Sequence, residues 1–298
     1  MFRRTWPKRW WPSGPEDALQ LRADCDKLRK LAVPGAMMLA LEAWAFEVSS
    51  LLAGLLRNLV ALDAHIILLN VCGFVFLSFP FALGIAGSIR VGQLLGAGRA
   101  REAKRATKVL LAITTVGCSL LAGAFLAAQN VIGRAFTQDK EVVAAIALLV
   151  PMAAIFQVSD GVQSAVAGAL RGMGRQKMVA LLNFVGFWLI GTSIGAALTF
   201  SDAFGAAFGG GGGSGGDSGG EHDDDDDHDD SLGGSGKGAM GVAGLWWGLA
   251  IGISATSVVG VASLSQTNFQ REAALARARV VVAKEDGNRS EVGMSVQL

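Results

Sequence analysis

Long apolar stretches alternate with short polar segments along the chain, and this pattern predicts six membrane-spanning helices. Each stretch is longer than the roughly 20 residues that a helix needs to cross a bilayer. Charged or turn-forming residues bound every stretch. The pattern therefore indicates an all-α polytopic membrane protein. The predicted spans are about Leu31–Leu56, Ala64–Ala86, Val109–Ile132, Val142–Leu170, Met178–Phe200 and Gly241–Leu264.

Composition and charge support this fold class and predict an orientation. Apolar residues make up 51% of the 298 residues and charged residues 17%, with a mean hydropathy of +0.43, values that disfavour a soluble domain. Lys and Arg are concentrated in the leading segment, the second loop, the fourth loop and the tail, and they are sparse between these segments. Because basic residues near span ends stay on the cytoplasmic side, we expect both termini to be cytoplasmic.

The predicted organisation has five parts. Glycine and a block of Asp residues cannot form a core, so we expect the segment before the last span to be a disordered outward loop. His222 and His228 in this loop offer only weak cation contacts without preorganised geometry, and we assign no metal site. The parts are a cytoplasmic leading segment (1–30), five spans (31–200), the Gly/Asp-rich loop (201–240), the last span (241–265) and a cytoplasmic tail (266–298).

Three carboxylates lie within the predicted spans, where an ionised group is costly and usually functional. The first span carries Glu42 and Glu47, and the fourth carries Asp160. At helical rise, Glu42 lies about 18 Å beyond Lys30 and Asp160 about 16 Å before Arg171, so the two acids share one depth from the same surface. This coincidence predicts a shared transport or proton site. The structural alternative is that each acid bonds to a neighbouring helix for packing.

The fourth span has a polar face around Asp160. Gln157, Asp160 and Ser164 are separated by three and four residues, and Gln163 is three residues from Asp160, so these side chains share one side of a helix. In lipid such a face must point into the bundle, which favours a role in lining a cavity.

The second span contains a proline and two polar residues whose roles differ. Pro80 removes a backbone hydrogen bond and predicts a bend. Asn70 favours a packing bond across helices over contact with a ligand. His65 lies at the outer end of the span, where its position favours an interfacial structural role over a proton relay.

The last two spans carry packing and anchoring residues. Trp246 and Trp247 lie toward the outer end of the last span, where an aromatic belt is expected. Asn183 is a polar residue of the fifth span. Small residues that allow close helix approach in this span are Gly186, Gly191 and Gly195.

The order and spacing of several motifs resemble the multidrug and toxic compound extrusion (MATE) transporters, particularly their eukaryotic branch. The resemblance covers about residues 28–264. Asn183 also fits its expected position. The motifs are LAVPGAMMLALEAWAFE (31–47), SIRVGQLLGAG (88–98), DGVQSAVAGALRGMGRQ (160–176) and GLWWG (244–248).

The resemblance implies that the six spans form one lobe, the C-lobe, of a twelve-helix transporter. By motif position it assigns the coupling carboxylates to Glu42, Glu47 and Asp160. Ala43 departs from the family pattern, which usually has an aromatic residue there, and the Gly/Asp insert is also unusual. Candidate cavity-lining residues are Trp44, Asn70, Gln157, Gln163, Ser164 and Asn183.

The function implied by the resemblance is secondary active export of organic cations, xenobiotics or metabolites in exchange for H⁺, with Na⁺ as the alternative coupling ion. We expect no cofactor and no nucleic-acid partner. The expected partners are the transported molecule, membrane lipid and an N-lobe in the same or another chain. The expected location is the plasma or vacuolar membrane.

Three other functions compete with export. The chain is alternatively a non-transporting half-transporter subunit or a truncated fragment that needs an N-lobe. An enzyme is not expected, because the spans lack a paired His/Ser or Cys/His arrangement. A lipid flippase of the same superfamily would favour a basic cavity, whereas the intramembrane charges here are acidic.

Overall fold

The computed structural model describes residues 15–200 and 241–279. This part of the chain is helical and contains no β-strand. The predicted loop at 201–240, with His222 and His228, lies outside the described residues, as do the first fourteen residues and the end of the tail. The helices of the described part are α1 (Pro15–Gly54), α2 (Leu59–Ser78), α3 (Pro80–Gly96), α4 (Ala100–Ala127), α5 (Gln129–Phe136), α6 (Lys140–Gly172), α7 (Gln176–Asn183), α8 (Ser193–Phe200), α9 (Val242–Gln266) and α10 (269–279).

Six segments of this fold are long and apolar enough to cross a membrane, which confirms the predicted fold class. The first lies inside α1, and the second combines α2 with α3. The fifth combines α7, a π-helical segment (Phe184–Thr192) and α8. The spans are Gly35–Gly54, Leu59–Gly96, Ala100–Ala127, Lys140–Gly172, Gln176–Phe200 and Val242–Gln266.

The helix α6 lies at the centre of the bundle. It packs against α2, α3, α4, α5 and α9, and most of its second half is buried. Two apolar clusters form around it. One is centred on Phe156 and Trp246, and the other on Val166 and Leu170. The polar face predicted for the fourth span therefore points into protein.

The second span breaks at Pro80, where a bend was predicted. The helix α2 ends at Ser78 and α3 begins at Pro80, with Phe79 in a non-helical conformation between them. Proline lacks the N–H that would continue the ladder and is well suited to the first position of a new helix. The hydroxyl of Ser164 on α6 donates to the Pro80 carbonyl at 3.0 Å, so the break is tied to the central helix.

The predicted glycines of the fifth span do allow a close approach to α9. A Cβ added at Gly248 would meet the backbone of Gly195, and one at Gly252 would meet the Gly186 carbonyl. The middle of this span, Phe184–Thr192, is a wider π-helix, in which Thr192 Oγ1 donates to the Phe187 carbonyl at 2.8 Å. The sequence analysis did not predict this segment.

Two expectations about the outer end of the bundle are wrong. Trp246 is fully buried, and its ring lies edge-on to His65 and Phe156 with centroid distances of 5.8 and 6.0 Å. It is therefore a core residue and no part of an aromatic belt, whereas Trp247 is half-buried. His65 is also fully buried, with Nε2 3.4 Å from the Ser49 hydroxyl, so its surroundings are internal and not interfacial.

The turns that follow α3 and α6 have the same backbone conformation. Gly98 and Gly174 have φ of +74° and +78°, the left-handed conformation that closes a helix, and glycine adopts it without strain. The short helix α10 bridges these turns. Arg277 donates to the Ala97 carbonyl at 3.1 Å, and Arg279 donates to the Met173 carbonyl at 3.4 Å.

The helix α10 is also anchored by its buried side. Phe269 and Ala273 pack into the apolar cluster around Leu170, and Glu272 is 4% exposed. Arg175, which follows the second turn, forms an ion pair with Glu272. Apolar burial and charge together hold α10 across both turns.

Candidate functional site

Glu42 of α1 and Asp160 of α6 line the same small cavity. The site is therefore assembled from helices far apart in sequence, with α7 contributing Asn183 and α6 also contributing Gln163 and Ser164. Its volume of about 20 Å³ has room for roughly one water molecule and is too small for an organic cation. Glu42 and Asp160, which were expected at one depth, therefore line one cavity.

A chain of amide contacts holds Glu42 at this cavity. Gln163 Nε2 donates to Asn183 Oδ1 at 3.3 Å, and Asn183 Nδ2 donates to the Met38 carbonyl at 3.2 Å. The same Nδ2 lies 3.5 Å from Glu42 Oε2. Asn183 thus connects α6, α7 and α1 at the level of the carboxylate.

Asp160 also lines a second, larger pocket of about 360 Å³ between α1, α2 and α6. Its walls include the rings of Phe46 and Phe156, together with Glu47 and Asn70. A pocket of this size suits a small organic molecule, and aromatic rings beside carboxylates favour a cation. Asp160, which is 4% exposed, therefore lies between the small cavity and the larger pocket and lines both.

Not every predicted site residue lies at these cavities. Gln157 is fully buried, its amide has no hydrogen-bond partner among the described residues, and it lines neither cavity. Trp44 is 55% exposed and lines neither cavity. Asn70 lines the larger pocket, but its Nδ2 donates to the Ile66 carbonyl of its own helix at 2.8 Å, so the expected bond across helices is not formed.

One charged residue at the site, Arg171, was not predicted from the sequence. Arg171 lines the small cavity together with Glu42 and Asp160. Its place near the end of a span made it a marker of the cytoplasmic side. The spacing of Asp160, Ser164, Ala167 and Arg171, by four, three and four residues, puts all four on one helix face and would have revealed it.

Residues 15–200 and 241–279 contain no group of three or more His, Cys, Asp or Glu side chains that could hold a metal ion. The acids at the cavity have amide, hydroxyl and guanidinium neighbours instead.

A family model and several known proteins match this chain. The MatE family model matches residues 34–196. Multidrug and toxin extrusion protein 2 of Mus musculus is 36% identical over 173 residues, which are 58% of this chain and 30% of that protein. Protein DETOXIFICATION 16 of Arabidopsis thaliana is 34% identical over 191 residues, which are 64% of this chain and 38% of that protein.

Solved structures agree with these sequence matches. The crystal structure of the eukaryotic MATE transporter AtDTX14 superimposes with a TM-score of 0.69 and 27% sequence identity, covering 86% of this chain and 49% of that one. The chain therefore spans about half of the solved relative, and its matched segment spans about a third of the curated relatives.

Proposed function

This chain belongs to the MatE family, and on that premise we propose that it forms one lobe of a secondary transporter that exports organic cations, xenobiotics or metabolites in exchange for H⁺, with Na⁺ as the alternative coupling ion. The observation that carries the proposal is that Glu42 and Asp160, from separate spans, line one cavity. The coupling sites are Glu42 and Asp160, with Glu47 as a further cation contact in the larger pocket.

The two cavities suggest how exchange works. The small cavity accommodates protons and a water molecule, and the larger pocket is the size of an organic cation. Because Asp160 borders both, a cation in the larger pocket and a proton on Asp160 compete for the same negative charge. Protonation on the acidic side releases the cation, and rocking of the lobe then changes which side has access.

The second lobe and the membrane environment complete the proposal. A central cavity in this family lies between two lobes, and we expect an N-lobe in the same or another chain to provide the facing wall. The uneven distribution of Lys and Arg favours cytoplasmic termini, in the plasma or vacuolar membrane.

Efflux driven by a pH gradient tests this function. The purified full chain is reconstituted, alone and together with an N-lobe, into liposomes loaded with ethidium, a fluorescent monovalent cation. Glu42→Gln and Asp160→Asn should each abolish gradient-driven efflux, because each removes a charge that proton and cation share. Glu141→Gln and Asp63→Asn, at exposed carboxylates away from the cavity, are the matched controls and should retain wild-type rates. Wild-type efflux in both cavity variants would refute the proposal.

A non-transporting subunit is the second candidate function. The chain spans 49% of the solved relative, so the facing half of a transport pathway is not contributed by the matched segment. Under this function the chain binds ethidium but carries no gradient-driven flux, either alone or with an N-lobe. Flux by the chain in either preparation would exclude it.

A further inference from the structure

Arg171 reaches the acidic cavity from the end of α6. It lies eleven residues after Asp160, lines the cavity with both acids, and is half-buried. Its buried Nε has no hydrogen-bond partner among the described residues. On the α3 side the guanidinium lies beside Gly84, where an added Cβ would be 3.4 Å from Arg171 Nη2, in van der Waals contact.

The charged groups facing this guanidinium are the two acids. Glu42 comes from α1 and Asp160 from α6, whereas the lining from α2, α3 and α7 is Phe76, Phe81 and Asn183, none of which is charged. The thiol of Cys72 on α2 lines the larger pocket beside Asp160, and that of Cys118 on α4 lies against Gly161.

An ordinary structural role does not account for this placement. A cation in the last turn of a helix is favoured by the helix dipole, but that effect needs no contact with an acidic cavity. Arg175, one turn further, has its own carboxylate partner in Glu272. Among the side chains that the structure describes, Arg171 forms no ion pair within 4 Å, and its guanidinium lines the cavity that holds both acids.

We propose that Arg171 is the fixed counter-charge of the transport site and that it sets how many positive charges the site accepts. This inference rests on the proposed function. When both are ionised, Glu42 and Asp160 together with the guanidinium leave one net negative charge at the small cavity, which one proton there neutralises. Asp160 also lines the larger pocket, so the same charge acts on a monovalent cation bound there, whereas Glu47 is exposed and lies outside the small cavity. Without the guanidinium two negative charges remain, and the site then favours a divalent organic cation. Arg171 acts through the carboxylates and is a positioning residue.

Binding of a matched dye pair tests the inference. Ethidium and propidium share a ring system but carry one and two positive charges. Their dissociation constants are measured by fluorescence with the full chain in nanodiscs. Arg171→Gln should raise the preference for propidium over ethidium about tenfold or more, because one unit of charge within several ångströms has an effect of this size. Arg171→Lys keeps the charge and should keep the wild-type ratio, as should Arg90→Gln at an exposed position.

A double variant gives an independent outcome that does not depend on Arg171→Gln folding by itself. Glu42→Gln leaves no net charge at the small cavity and should lose ethidium binding, whereas Glu42→Gln combined with Arg171→Gln restores the negative charge of Asp160, which also lines the larger pocket, and should regain it. An unchanged dye ratio in Arg171→Gln, a shifted ratio in Arg171→Lys, or no recovery in the double variant would overturn the inference alone. If the wild-type chain binds neither dye, the proposed function itself fails.

Discussion

Asn183 Nδ2 lies 3.5 Å from Glu42 Oε2 while its Oδ1 accepts from Gln163, so one amide joins the fifth span to the first and fourth. Asn183→Ala should remove this connection and leave a buried Gln163 donor without a partner. The expected loss is about 1–3 kcal/mol of stability, together with weaker ethidium binding. Asn130→Ala, at an exposed position on α5, is the control. Thermal unfolding and dye titration measure both effects, and equal behaviour of the two variants would contradict the assignment.

Glu47 should affect cation affinity more than coupling. It lines the larger pocket but not the small cavity, and its side chain is exposed. Because a solvent-exposed charge contributes up to about 1 kcal/mol, Glu47→Gln should raise the KM for ethidium by up to about fivefold and leave kcat near the wild-type value. Initial efflux rates at several dye concentrations separate the two constants. A loss of kcat as complete as that of Glu42→Gln would show that Glu47 carries the exchanged proton.

The contact between the fifth and last spans should be sensitive to single methyl groups. Gly248→Ala places a Cβ against the backbone of Gly195, where no flexible side chain can move aside. We expect a loss of about 1–3 kcal/mol from overpacking and a lower Tm. The control is Gly123→Ala on α4, where a Cβ meets nothing within 4 Å and the higher helix propensity of alanine makes the change neutral or favourable. A Tm for Gly248→Ala at or above that of Gly123→Ala would refute this packing.

The helix α10 should detach when its contacts to the turns are removed. Arg277→Ala and Arg279→Ala each delete a hydrogen bond to a turn carbonyl, and together they should raise amide exchange in residues 269–279. Arg271→Ala is the matched control, since Arg271 is exposed on the same helix. Hydrogen–deuterium exchange mass spectrometry measures the difference. Equal exchange in the double variant and the control would mean that Phe269 and Glu272 suffice to hold the helix.

The features predicted correctly from sequence are those with a strong local cause. Apolar length predicts the six spans, and Pro80 predicts the break between α2 and α3. Helical rise predicts that Glu42 and Asp160 come together, and both line one cavity. Glycines in the fifth span predict the close approach to α9. These signals need no knowledge of which helices are neighbours.

The features that were missed depend on neighbours. In a uniformly apolar helix, periodicity does not separate the lipid-facing side from the core, so the burial of Trp246 and His65 was not predicted. The π-helical segment Phe184–Thr192 carries almost no polar pattern that could show its wider turn. Arg171 was assigned to the cytoplasmic surface because its position near a span end already explained its charge.

The bridge made by α10 has a mechanical consequence. Arg277 and Arg279 are two residues apart on one rigid helix, and they contact equivalent carbonyls in the two turns. The ends of α3 and α6 are therefore linked to each other through α10, which fixes the distance between them. While both hydrogen bonds hold, the two helix ends move together, and an opening between them first breaks the contact of Arg277 or of Arg279.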